Sequence, residues 1–224
     1  MEKRPSNLRD YVIVCGFGKM GFQAAWELKQ VGVPFLVIEK EPGKGSKNPR
    51  FEGEIFLYGD AMDELILQRA GIGRARGLIA ALTTDADNVL VTLTAKQLAP
   101  ELPIVARSAQ RGTENKLRAA GANHIVSPYE IGGRRMASLL LDPELVNYVD
   151  AVLDHNHTEM DIRHILVSPA SELVGLSMRE ARLRDTTGAL VVGIHRGEGG
   201  LIFNPRGAEV FQGGDVLLAM GSHG

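Results

Sequence analysis

Residues 12–40, "VIVCGFGKMGFQAAWELKQVGVPFLVIEK", run from an apolar stretch through a glycine turn to a second apolar stretch that ends in an acid. "YVIVC" is short and rich in β-branched residues, as a parallel strand covered on both faces should be. Gly16, Gly18 and Gly21 form a GxGxxG pattern between this strand and a predicted helix over Phe22–Val31, with Phe17, Lys19 and Met20 between them. In that pattern the first glycine permits the tight turn and the second lets the backbone approach a pyrophosphate. The third lets helix and strand pack closely. The N–H groups of the first helical turn then face the phosphates. Glu39 closes the second strand, "PFLVIE", about 20 residues further on, where an acid can accept hydrogen bonds from ribose hydroxyls. Glu39 would repel a 2′-phosphate, so NAD or another adenine nucleotide is expected rather than NADP. Lys40, Lys44 and Lys47 soften that expectation without reversing it. The competing reading is a glycine turn kept for packing alone.

Strand and helix signals continue to alternate to about Val126. After the loop "EPGKGSKNPR" come a strand "EIFLYGD", a helix over about Met62–Ala70 and a strand "GLIAAL". The helix "DADNVLVTLTAKQLA" follows, with Asp85 near its N-terminus, where a carboxylate suits the helix dipole. A strand "LPIVAR", a helix over Thr113–Ala120 and a short strand "HIVS" complete the series. This spacing predicts an α/β fold with a parallel, doubly wound sheet. Beyond Pro128, "YEIGGRRMASLLL" and "DPELVNYVDAVLD" read as two helices. Then "IRHILV", "ALVVGIHR", "LIFNP" and "DVLLAMG" read as strands, with a helix "SMREARLRDTTG" between them. The expected division is a linker at 1–10, a nucleotide-binding lobe at 11–128, a helical crossover at 129–158 and a small α+β C-terminal domain at 159–224.

The 224 residues carry a formal net charge of -2, which argues against a general nucleic-acid binder. Cys15, the one cysteine, excludes an intrachain disulfide and predicts a buried thiol in a reducing compartment. No apolar run is long enough to cross a bilayer and "MEKRPSNLRD" has no signal-peptide character, so a cytoplasmic chain is expected. A dehydrogenase needs a positioned acid or base at its substrate. None of Tyr11, Tyr58, Tyr129 and Tyr148 has a lysine four positions on, and the second domain offers no obvious His/Asp or His/Arg pocket. A nucleotide-binding sensor is therefore expected. The alternatives are an NAD-dependent oxidoreductase and a soluble ligand-binding regulator with no membrane partner.

"YVIVCGFGKMG", "LYGDAMDELILQRAGI", "ALTTDADNVLVTLTAK" and "IVARSAQRGTENKLRAAGANHIVSPYEIGGRRMA", with the closing "LVVGIHR", "IFNP" and "LLAMG", resemble the RCK (regulator of conductance of potassium) family over Tyr11 to Gly221. That family includes gating domains of prokaryotic potassium channels and peripheral subunits of Trk and Ktr transporters. The resemblance implies a Rossmann-like N-lobe, a helical crossover that dimerises and a small C-lobe. It implies NAD(H) or an adenine nucleotide (ATP, ADP or AMP) as a regulatory ligand over Gly16, Gly18 and Gly21, with Glu39 at the ribose and Phe17, Lys19, Met20 and Lys40 also binding it. Asp60 and Ala61 would meet the adenosine end, Thr83, Thr84 and Asp85 would border the far half, and Arg107 would pair with a phosphate. The implied partners are a second copy, in a dimer and an octameric ring, and a potassium-channel pore or transporter membrane subunit. Some calcium-gated members carry acids just after the fifth strand. Here Arg107, Ser108 and Ala109 stand there, so that calcium site lacks its carboxylates, and calcium at another interface stays open.

Other clusters are weaker. His155, His157, Glu159 and Asp161 alternate and could hold zinc, but a polar hinge between lobes explains them as well. Arg134 and Arg135 read as a solvated helix face or a phosphate patch, and His195 as a packed strand residue. Arg184 and Asn204 occupy places where some family members bind cyclic di-AMP.

Overall fold

The computed structural model describes residues 8–45, 47–153, 160–197 and 200–222, without the side chains of 148, 151–153, 160–162 and 222. The chain forms two compact units, Met1–Arg135 and Met136–Gly224. The expected hinge residues His155, His157 and Glu159, the side chain of Asp161 and most of the 1–10 linker lie outside what is described.

The first unit is built on six parallel strands: β1 (Tyr11–Cys15), β2 (Phe35–Glu39), β3 (Ile55–Tyr58), β4 (Ala75–Ala80), β5 (Ile104–Arg107) and β6 (His124–Val126). Their order is β3-β2-β1-β4-β5-β6. Side chains alternate across a strand, and β1 and β2 use both faces. Ile13, Cys15, Leu36 and Ile38 join one buried cluster with Leu67, Leu78, Ile104 and Leu117. Val14, Phe35 and Val37 join another with Ala25, Phe17 and Phe51. The helices around the sheet are α1 (Lys19–Gln30), α2 (Glu64–Ala70), α3 (Asp85–Leu98) and α4 (Thr113–Ala119). The sheet order reverses between β1 and β4, so their carboxyl ends open a crevice, the usual ligand position in this topology.

Of the boundaries that differ from the sequence reading, two have a clear local cause. Helix α1 begins at Lys19, three residues earlier than the apolar pattern suggests, because the chain is already helical inside the glycine turn. Strand β3 stops at Tyr58, because the Asp60 carboxylate turns the chain by accepting the N–H of Met62.

Helix α5 (Pro128–Leu141) leaves the first unit, and α6 (Pro143–Leu153) follows it. The second unit holds an antiparallel sheet of β7 (Met160–Leu166), β8 (Leu190–His195), β9 (Leu201–Phe203) and β10 (Val216–Ser222), in the order β7-β10-β8-β9. Its core is small, a cluster built on the buried Val167, Val191, Ile194, Phe211 and Leu217. The single helix expected over "SMREARLRDTTG" is two, α7 (Met178–Ala181) and α8 (Leu183–Thr187). Arg182 breaks it by adopting a left-handed conformation, φ 47°. Asp215, almost fully buried, accepts two hydrogen bonds from the Arg196 guanidinium at 2.9 and 3.0 Å, and Arg196 also donates to Glu209.

Candidate nucleotide-binding site

The glycine turn sits at the carboxyl end of β1. Gly16 has φ +90°, and a Cβ there would lie 2.9 Å from the carbonyl oxygen of Ala81. At Gly21 a Cβ would come within van der Waals overlap of the Gly16 carbonyl. Both residues are glycine because the chain itself leaves no room. Gly18 is different. Its φ is -73°, and a Cβ there would meet nothing within 4 Å. No contact within the chain requires glycine at this position.

Gly18 also precedes helix α1 without giving it a side-chain cap. Elsewhere Asp63 caps α2 and Thr84 caps α3 through their side chains. The first N–H groups of α1 therefore have neither an intrahelical partner nor a capping side chain, an arrangement suited to an anion.

Phe17 does not point to solvent. Its ring packs against Phe22, Phe51 and Phe56 at centroid distances of 5.5, 5.1 and 5.1 Å. Its N–H donates to Glu39 Oε2 at 2.8 Å. Glu39 Oε1 accepts the N–H groups of Lys40 (2.8 Å) and Glu41 (3.0 Å), and Lys44 Nζ lies 3.6 Å from Oε2. Burial alone would raise this carboxyl, but the three backbone donors and Lys44 outweigh it and hold the group below the ordinary carboxylate range. Lys40 Nζ donates to Asp60 Oδ2 at 2.9 Å, and this hydrogen bond lowers the Asp60 carboxyl.

Two cavities adjoin the turn. The first, about 220 Å³, is lined by Gly16, Phe17, Gly18, Glu39, Lys40, Asp60, Ala61, Thr83 and neighbouring residues, among them Lys44 and Asp87. The second, about 390 Å³, is lined by Gly18, Lys19, Met20, Ala81, Thr83, Arg107, Pro128 and Tyr129. Arg107 Nη1 donates to the carbonyls of Leu82 (2.8 Å) and Thr83 (3.3 Å), which holds the guanidinium beside the β4 loop.

Of the fourteen residues expected at the site, Gly21, Thr84 and Asp85 line neither cavity, Gly21 because it packs against Gly16. Thr84 caps α3, and the Asp85 carboxylate accepts the N–H groups of Ala109 (2.7 Å) and Gln110 (2.9 Å). Asp87, Pro128, Tyr129 and the fully buried Asn88 are additions. Asn88 takes the Leu82 N–H on its oxygen and donates to the carbonyls of Leu82 and Arg107, which ties β4 to β5. Ser108, just after β5, is buried and donates to the Gln110 carbonyl. Among the described residues no three His, Cys, Asp or Glu side chains could share a metal ion.

Residues 12–128 match the TrkA-N domain, and residues 162–224 match the TrkA-C domain. The chain belongs to the RCK family. Probable potassium channel protein 2 of Methanocaldococcus jannaschii is 35% identical to this RCK chain over 228 residues, covering 99% of the chain and 66% of the relative. The Ktr system potassium uptake protein C of Bacillus subtilis is 25% identical over 210 residues, covering 93% of the RCK chain and 90% of the relative. Among solved structures, a GsuK channel bound to NAD shares 28% identity at a TM-score of 0.55, over 95% of this chain and 36% of that one. The chain thus spans slightly less than two thirds of the channel relative and nearly all of the Ktr protein. Among its described residues no helix is long and apolar enough to cross a membrane.

Proposed function

We propose that this RCK chain is the ligand-binding regulator of a potassium channel or potassium transporter, and that it carries out no chemistry of its own. NAD(H) or an adenine nucleotide lies over the glycine turn as the regulatory ligand. The observation that carries this reading is Gly18: the fold does not require its missing side chain, while a pyrophosphate approaching the uncapped start of α1 would. Glu39, Lys40, Asp60 and Ala61 receive the adenosine end, and Arg107 is the cation nearest the far half. The names of the relatives support the potassium system, and the NAD-bound GsuK structure supports the ligand class.

The chain works from the cytoplasmic side of the membrane, attached to a pore or to a membrane subunit. Two copies pair through the exposed face of α5 and α6, and four such pairs close a ring on a tetrameric pore. A ligand shifts such an assembly only by binding its two states unequally. Calorimetry with NAD, ADP and ATP tests the reading, with micromolar affinity expected, roughly -8 kcal/mol. Failure of all three to bind, or hydride transfer between NAD and any donor or acceptor substrate, overturns it.

A further inference from the structure

The two cavities share Gly18, Ala81 and Thr83, so they are successive compartments over one turn. The first, at about 220 Å³, is small beside the roughly 300 Å³ at which small-molecule pockets begin. It has room for a nucleoside, with the pyrophosphate on the turn. Whatever extends beyond the pyrophosphate enters the second compartment, at about 390 Å³. The walls there differ from the first: Met20, Pro128 and the Tyr129 ring are apolar or aromatic, and the charges are the cations Lys19 and Arg107. Tyr129 is 71% exposed, so no packing within the described chain accounts for its ring.

We infer that Tyr129 is a ligand-contacting residue that distinguishes dinucleotides from mononucleotides, its ring stacking on the second base-like ring of a dinucleotide held in this compartment. The inference rests on the nucleotide-binding reading above and adds which part of the ligand is read. ADP ends at the turn and leaves Tyr129 untouched. A dinucleotide carries a planar group past Arg107 to the ring, and offset stacking of two such faces is favourable. The contact falls on the first turn of α5, the helix whose later turns expose Leu139 and Leu140. A dinucleotide therefore touches the dimerising helix directly, and a mononucleotide does not.

The test is calorimetry of the full chain with NAD+ and with ADP, on the wild type, Tyr129→Ala and Tyr129→Phe. In the alanine variant, NAD+ affinity should fall about five- to tenfold, the scale of one aromatic contact, while ADP affinity stays within about twofold. ADP binding doubles as proof that the variant is folded. Tyr129→Phe keeps the ring and should bind NAD+ like the wild type. An alanine variant that binds NAD+ as the wild type does, or that loses NAD+ and ADP in parallel, overturns the inference, as does a phenylalanine variant that loses NAD+. A wild type that binds ADP but not NAD+ also overturns it, leaving the mononucleotide reading intact. A wild type that binds neither overturns the reading beneath it.

Discussion

Glu39 holds the glycine turn through the main chain: its Oε2 accepts the N–H of Phe17 at 2.8 Å, across a gap of 22 residues in sequence. The acid at the end of β2 thus orders the turn through the chain's own backbone. Because its folded-state carboxyl lies below the ordinary value of about 4.3, its stabilisation is complete above that pH and is lost as pH falls through the folded value. Glu39→Gln sets an amide N–H₂ against backbone donors and should cost about 1–3 kcal/mol at neutral pH. Its acid unfolding below about pH 4 should be less steep than the wild type's. Fluorescence of Trp26, the one tryptophan, follows the transition, and equal stability at pH 7 would refute the strap.

The two glycines of the turn should respond oppositely to a side chain. Gly16→Ala forces a Cβ into φ +90° and toward the Ala81 carbonyl, and should destabilise the first unit by about 1–3 kcal/mol. The Cβ of Gly18→Val meets open space, so the variant should lose no more than about 1 kcal/mol, the cost of a poorer N-cap, yet weaken nucleotide binding at least about a hundredfold. Calorimetry and thermal melting on the same samples separate the two effects. Unchanged affinity in Gly18→Val would end the assignment of the phosphate site.

Helices α5 and α6 carry an apolar face that the described residues leave open. Leu140 is 86% exposed and Met136 74%, and Leu139, Leu145 and Val149 are also exposed, while Val152 is one of the residues without a described side chain. Replacing Leu140 and Val149 with Asp puts unpaired charges into any contact formed there, at about 3–5 kcal/mol, and should give monomers. Multi-angle light scattering reads this directly. A wild-type monomer at tens of micromolar (about a hundredth of the millimolar scale) counts against dimerisation, and a dimer that survives both substitutions moves the contact elsewhere.

The smaller unit carries a buried ion pair between Arg196 and Asp215. Arg196 beside Asp215 holds that carboxyl below the usual range despite burial, so the stabilisation is present above about pH 3.9 and is lost as pH falls through the lower folded value. Arg196→Met strands a buried carboxylate and should cost about 3–5 kcal/mol. Arg196→Lys keeps the charge without the two-pronged geometry and should fall between. Hydrogen exchange of β8 and β10 amides is the readout. Unchanged protection in Arg196→Met would mean that the hydrophobic core alone suffices.

The first unit was largely legible because each local signal agreed with the next: β-branched runs, a glycine turn and an acid at the expected distance. The family resemblance puts Thr84 and Asp85 beside the ligand, but Thr84 is taken up by the N-terminus of α3 and Asp85 by the N–H groups of Ala109 and Gln110. Asn88 had a signal that went unused. It shares a helical stripe with Val91, Thr92 and Ala95, all buried, and an amide on such a face must find partners in the interior. Tyr129 had none, since its place beside the cavity depends on where the chain returns after β6, which no local pattern encodes. The break at Arg182 was equally hidden, because arginine rarely adopts the left-handed conformation it takes there.

Cys15 lies at the end of β1, immediately before Gly16, and burial pushes its thiol up to about 12. It stays unreactive while the sheet is closed, and no other thiol competes with it. Alkylation of this chain therefore works as a clock that advances only when the strand beneath the ligand opens. A ligand that binds only the closed form at a hundred times its Kd adds about 2.7 kcal/mol to the opening free energy. That slows the clock about a hundredfold. Labelling rates measured by mass spectrometry would then rank NAD, ADP and ATP on one scale.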